Sequence, residues 1–276
     1  MTRYARHRLL YRLTQLPEGR DFILKGATLL AVWGEDFYRP TRDIDLLAPG
    51  ANDPESLRDI FRSACEFETE DDGLRFDPDS VTAERIMEEA RYEGVRVAIR
   101  AALGKARLFL QVDVAFGDRV IPPPVPTDLT SVLDGLPTVH MDVYPKTGVI
   151  AEKFQIITAL GMPNSRMKDF YDIYTLAEHS EFEGQELADS IRATFDARGT
   201  PVPVVPPVAL TEEFANDASK KAQWRAFLGG LEMSAAELPL ERVIPALNDF
   251  LMPPARAIAE ASSFNKKWAP GGPWSR

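Results

Sequence analysis

Apolar positions recur at helical spacing from the start of the chain. Leu9, Leu10, Leu13 and Leu16 fall on one side of a helix over residues 4–16, with Arg8 and Arg12 one turn apart on another face. The same spacing predicts helices over 26–35, 54–64, 148–160, 166–178, 184–194, 212–228 and 240–261. Period-two alternation predicts strands over 43–48 and 107–116, the second reading RLFLQVDVAF. Proline density in VIPPPVPTDLTS (Val120–Ser131) implies an exposed connection without regular structure, and ARGTPVPVVPPVALT (Ala197–Thr211) reads as a second linker or an extended wrap. The expected architecture is α+β: a mixed sheet with flanking helices over residues 1–125, then a mainly helical domain over 126–276.

Composition narrows the function classes. With 276 residues, 45% hydrophobic and 27% charged, the chain is long enough for one large or two ordinary domains with real cores. Charges break its apolar runs before they reach membrane-spanning length, and MTRYARHRLL lacks a signal peptide's apolar region, so the expected location is the cytoplasm. A single cysteine, Cys65, excludes an internal disulfide and a cysteine zinc cluster, and three scattered histidines argue against a histidine metal site. Any bound metal must be held by carboxylates. A formal charge of −10 disfavours bulk attraction to nucleic acid but leaves room for local basic patches.

Carboxylates of that kind stand in DIDLL. Strand alternation sends Asp43 and Asp45 to one face and Ile44 and Leu46 to the other. Two like charges on one face repel, whereas Mg²⁺ accepts this hard-oxygen pair with phosphates and water completing its shell. A solvated strand end with two ordinary acids is the competing explanation. Upstream, Lys25-Gly26-Ala27-Thr28 follows the apolar Phe22-Ile23-Leu24 and places small residues where a helix begins, a place suited to a triphosphate.

In order, LKGATLL, RPTRDIDLL, VDVAFGD, VIAEKFQII and NSRMKDFYDIYTL resemble the AbiEii/AbiGii-type nucleotidyltransferase toxins of bacterial toxin–antitoxin systems, a branch of the polymerase-β-like superfamily. The likeness spans Leu24–Leu176; residues 197–276 carry only a general resemblance. Ala27 departs from the usual second Gly or Ser, with Thr28 as a candidate replacement for the missing hydroxyl. The resemblance implies a polymerase-β-like nucleotidyltransferase fold whose helical second domain completes the active site. It further implies an NTP substrate, Mg²⁺ or Mn²⁺, an RNA acceptor such as the 3′ end of tRNA, growth arrest and a cognate antitoxin protein. A small-molecule transferase of the aminoglycoside-modifying kind, or a non-catalytic interaction module, could rest on the same core.

The remaining polar positions are read against that resemblance. Asp113, in an apolar strand, is a candidate third metal ligand or base, or a strand-end acid paired with Arg107 or Lys105. Lys153 shares a stripe with Ile150 and Ile157, so it either extends past the core to solvent or reaches phosphate; the resemblance implies an active-site lysine here. Asp169 aligns best with the family's aspartate on the next helix, while Asp172 reads as structural, tied to Lys168 or capping a neighbouring segment. Arg166 either binds phosphate or faces solvent. Arg39 and Arg42 flank the aspartates, where they balance acids or hold a triphosphate. Arg8 and Arg12 either dock RNA or pair with the acidic run Glu66–Asp72.

Overall fold

A computed structural model describes residues 1–34, 41, 43–50, 52–88, 92–117, 120–131, 133–231, 233–234 and 236–276. Arg39 and Arg42 lie outside the described residues. The chain divides into two compact units, Met1–Val120 with Pro124–Tyr144, and Ile121–Pro123 with Pro145–Arg276.

The first unit is built on a seven-stranded mixed sheet in the order β3-β4-β5-β2-β1-β7-β6. Its strands are β1 (Ile23–Lys25), β2 (Asp43–Ala48), β3 (Leu74–Glu88), β4 (Tyr92–Leu103), β5 (Ala106–Phe116), β6 (Val125–Leu129) and β7 (Val139–Val143). β2 runs antiparallel to β1 and parallel to β5, and β1 runs parallel to β7. One sheet face is apolar: Ile44, Leu46, Val95, Val97, Ile99, Leu110, Val112 and Val114 are all buried. Helices α1 (Thr2–Gln15) and α3 (Pro54–Glu66) pack on the sheet. Asp53 caps α3 by accepting from the backbone N–H of Glu55 and Ser56, and Pro54 occupies the first turn, where its missing N–H is no loss.

Two expectations need correction here. The segment Val120–Ser131 contains a strand: β6 pairs with β7, and its Pro126 is tolerated because β6 is a sheet edge. Residues 124–144 accordingly group with the sheet. The helix expected over 26–35 is the six-residue α2 (Thr28–Trp33), preceded by a turn at Gly26-Ala27. Strands β1, β3, β4 and β7 carried no sequence-based expectation.

α1 is enclosed on nearly every side, with Tyr4, Ala5, Leu9, Leu10 and Leu13 buried and Arg6, Arg8 and Arg12 buried beside them. Arg8 Nε donates to Asp72 Oδ2 at 2.8 Å, Arg12 Nη1 to the same oxygen at 2.7 Å, and Arg8 also pairs with Glu70. These two arginines therefore pair with the acidic run and are not available to dock RNA. Burial opposes ionisation of Asp72, yet the Arg12 and Arg8 hydrogen bonds hold its carboxyl below the usual range.

The second unit is mainly helical: α4 (Lys146–Leu160), α5 (Met167–His179), α6 (Gly184–Ala197), α7 (Glu212–Asn216), α8 (Ala218–Gly229) and α9 (Leu240–Ala259). The helix expected over 212–228 is broken at Asp217, whose carboxylate caps α8 at the N–H of Lys220. Short strands β8 (Phe182–Glu183), β9 (Lys267–Trp268) and β10 (Trp274–Ser275) form a second sheet. Aromatic pairs fill the interior: Phe154 with Phe195, Phe170 with Phe214, and Phe250 with Trp268 and Trp274. Among the described residues, no helix is long and apolar enough to cross a membrane.

Candidate active site

In the first unit the polar sheet face carries a row of charged positions across five strands. Lys25 of β1 is opposite Asp45 of β2, Asp45 opposite Asp113 of β5, Asp113 opposite Arg96 of β4, and Arg96 opposite Glu84 of β3. Directly paired residues point to the same sheet face, so register alone brings these side chains into line. Asp43 stands one step along, opposite Gln111. The expected alternation of β2 holds: Asp43 and Asp45 are half-buried while Ile44 and Leu46 are fully buried.

Asp113 is held by neither Arg107 nor Lys105. Its carboxylate accepts both arms of Arg96, Nε at 2.8 Å and Nη2 at 2.9 Å, and is itself buried. The bond to Asp113, outweighing burial, raises the Arg96 pKa, and the nearby charge of Asp43 adds to that. The sequence held a signal for Arg96, since Val95, Val97 and Ile99 alternate with Arg96, Ala98 and Arg100.

The turn at the end of β1 fits closely under this row. Gly26 has φ +72°, and a Cβ there would lie 1.9 Å from Asp45 Oδ2. Glycine is required on both counts, for the left-handed backbone and for the space. The Gly26 and Ala27 carbonyls accept from Leu29 and Leu30 and start α2. The Thr28 and Thr41 hydroxyls each donate to the Asp43 carbonyl at 3.4 Å, tying the turn to β2. Lys25 Nζ lies 5.5 Å from the Tyr144 ring centre, within reach of a cation–π contact.

In the second unit, Lys153 of α4 faces two aspartates of α5. Its ammonium is 2.7 Å from Asp169 Oδ1 and 2.9 Å from Asp172 Oδ2, and Arg166 Nε donates to Asp169 Oδ2 at 2.6 Å. Both aspartates are fully buried. Asp172 thus meets Lys153, a partner that its spacing in the sequence does not suggest. Burial works against the Asp169 carboxylate, but the Lys153 and Arg166 charges prevail and bring its pKa down to about 2. Lys153 and Arg166 thus offset the buried charge of Asp169, and Lys153 that of Asp172.

A family model described as the nucleotidyl transferase AbiEii toxin of a type IV toxin–antitoxin system matches residues 8–254. The chain belongs to the AbiEii family. This AbiEii protein is therefore a nucleotidyltransferase toxin. Its fold is also similar to JHP933 from Helicobacter pylori, at 15% identity over 95% of this chain and 94% of that one, with a TM-score of 0.46. A putative nucleotidyltransferase from H. pylori is similar at 14% identity over 95% and 96%, with a TM-score of 0.44. No curated protein matches the chain in sequence.

The family's chemistry calls for a divalent cation, and the donors of the AbiEii chain can be tested against that need. Asp43 and Asp45 offer hard oxygens from one face of β2, as Mg²⁺ or Mn²⁺ requires. Asp113 differs, because both its oxygens already accept from Arg96. Among the described residues, no three His, Cys, Asp or Glu side chains gather to enclose an ion by themselves. Two carboxylates placed in this way would suit a cation whose remaining ligands come from substrate and water.

Proposed function

We propose that this toxin moves a nucleoside monophosphate from an NTP onto the 3′ end of an RNA, with tRNA the leading acceptor, using Mg²⁺ or Mn²⁺ held by Asp43 and Asp45. The observation that carries this reading is the Lys25–Asp45–Asp113–Arg96 row above Gly26. It concentrates hard oxygens and cations at a glycine turn where a triphosphate can approach the backbone. Bound there, the cation would neutralise phosphate charge and favour loss of the attacking hydroxyl's proton.

The chain's own part is orientation. Gly26 lets the turn sit against Asp45, Thr28 and Thr41 fix the backbone at Asp43, and both arms of Arg96 hold the Asp113 carboxylate in place. Lys25 and Arg96 place positive charge at either end of the acidic pair. In the second unit, Lys153 and Arg166, both held in place by Asp169, are proposed phosphate-binding side chains of that unit. Modification of a tRNA 3′ end would block aminoacylation and so arrest translation, and a cognate antitoxin would relieve it. The type IV toxin–antitoxin description of the family supports that partner.

The test is direct. The purified protein is incubated with total RNA, Mg²⁺ and each α-labelled NTP in turn, with an aminoglycoside in a parallel reaction. Label in RNA 3′ ends that disappears with Asp45→Asn supports the reading. Label found only in the small molecule, or none from a folded protein, would sink it.

A further inference from the structure

The row of charged positions continues along the sheet toward an exposed aromatic ring. On β5, Arg107, Phe109, Gln111 and Asp113 alternate onto the polar face, while Leu110, Val112 and Val114 are buried on the other. Phe109 is 61% exposed, directly opposite Arg100 of β4. Arg107 is opposite Ala102, which is in turn opposite Arg75 of β3. Three exposed arginines, 75, 100 and 107, therefore surround one exposed phenylalanine, with Asp77 opposite Arg100 as the acid among them. Among the described residues none of these three guanidinium groups is in an ion pair. In a chain of net charge −10, this end of the sheet runs against the overall balance.

A lone exposed phenylalanine needs no explanation. This one stands on a sheet face, framed by guanidinium groups, and Gln111, two residues along β5, is opposite Asp43. Two residues of strand span roughly 7 Å. An aromatic ring that offers a face to an unstacked base, with arginines for the adjacent phosphates, is how sheet surfaces hold single-stranded nucleic acid without reading its sequence. We propose that Phe109, with Arg75, Arg100 and Arg107, forms a platform for the single-stranded end of the acceptor RNA. A base stacks on Phe109, the arginines track the backbone, and the terminal hydroxyl is directed along β5 toward Asp43 and Asp45.

This rests on the RNA-acceptor reading, and the experiment separates the two. A fluorescein-labelled single-stranded RNA ending in CCA is titrated with wild type, Phe109→Ala, Phe109→Trp and Arg100→Ala/Arg107→Ala, across a salt series, with NTP affinity measured in parallel. Phe109→Ala should weaken RNA binding by at least about fivefold, the low end for one lost base–aromatic stack, and leave NTP affinity unchanged. Phe109→Trp should keep binding and show indole fluorescence quenched by RNA. The double arginine variant should lower the slope of log affinity against log salt by about 0.7 per lost contact. Equal RNA binding by wild type and Phe109→Ala, or no RNA binding by wild type, overturns the platform. If RNA is still labelled at its 3′ end in the first of these cases, the proposed function stands without it.

Discussion

Gly26 and Asp45 occupy space that only one of them can fill: a Cβ on Gly26 would sit 1.9 Å from Asp45 Oδ2. The glycine at the end of β1 and the aspartate of β2 are thereby one structural unit, made by the antiparallel pairing of their strands.

Gly26→Ala should therefore act twice. The φ of +72° disfavours any L side chain by about 1 kcal/mol, and the new methyl must displace the Asp45 carboxylate. Transfer should fall by more than tenfold while the urea midpoint drops only modestly. Full activity would mean that the placement of Asp45 is unimportant.

Lys153→Met should destabilise the fold as well as reduce transfer. Its helical stripe alone leaves this lysine either extending past the core to solvent or reaching phosphate, but its ammonium bridges two buried carboxylates. Breaking a buried pair from one side costs about 3–5 kcal/mol. Denaturant unfolding of Lys153→Met and of Lys153→Met/Asp172→Asn checks this, and the second substitution should restore part of the loss. An undiminished Lys153→Met midpoint would show that the bridge carries no stability.

Acid should loosen the protein through Asp169. Its folded pKa of about 2 lies below the ordinary 3.8. A depressed carboxyl contributes stability that is fully present above about pH 4 and lost as pH falls toward 2. Urea midpoints followed from pH 5 down to pH 2 should decline in wild type and decline less steeply in Asp169→Asn. Parallel curves would contradict the assignment.

Arg8→Ala should unfold the first unit more readily, by about 3 kcal/mol, because it removes a buried partner of Asp72. Since Arg8 is fully buried, the salt dependence of RNA affinity should be unchanged wherever the variant remains folded. A reduced slope would return Arg8 to an RNA-contacting role.

The sequence is most readable where periodicity is long and uninterrupted. α1, α3, α4, α5, α6 and α9 begin and end within a few residues of their expected positions. β2 and β5 were legible because acids interrupt otherwise apolar runs. β3 was not, because Asp77-Pro78-Asp79-Ser80 reads as a turn, and the register of β3 does shift between Asp77 and Thr82. β6 was hidden by its Pro126, which an edge strand tolerates, and by the three prolines just before it. At the site, spacing placed Asp43 and Asp45 together, but the partners of Asp113 and Asp172 depend on which strand or helix lies alongside. Arg96 lies 17 residues from Asp113 and Lys153 lies 16 from Asp169. Local pattern carries no information about such pairings.

The parallel pairings of β2 with β5 and of β1 with β7 also set an order of events during synthesis. Asp43 and Asp45 leave the ribosome well before Asp113, and β1 acquires its second neighbour only when Asp142 and Val143 have emerged. Domains generally form as the chain is made, from the N-terminus onward. The strands at the middle of this sheet are therefore made first and enclosed last. A chain that stops short of β5 lacks the strand that Asp43 and Asp45 pair against.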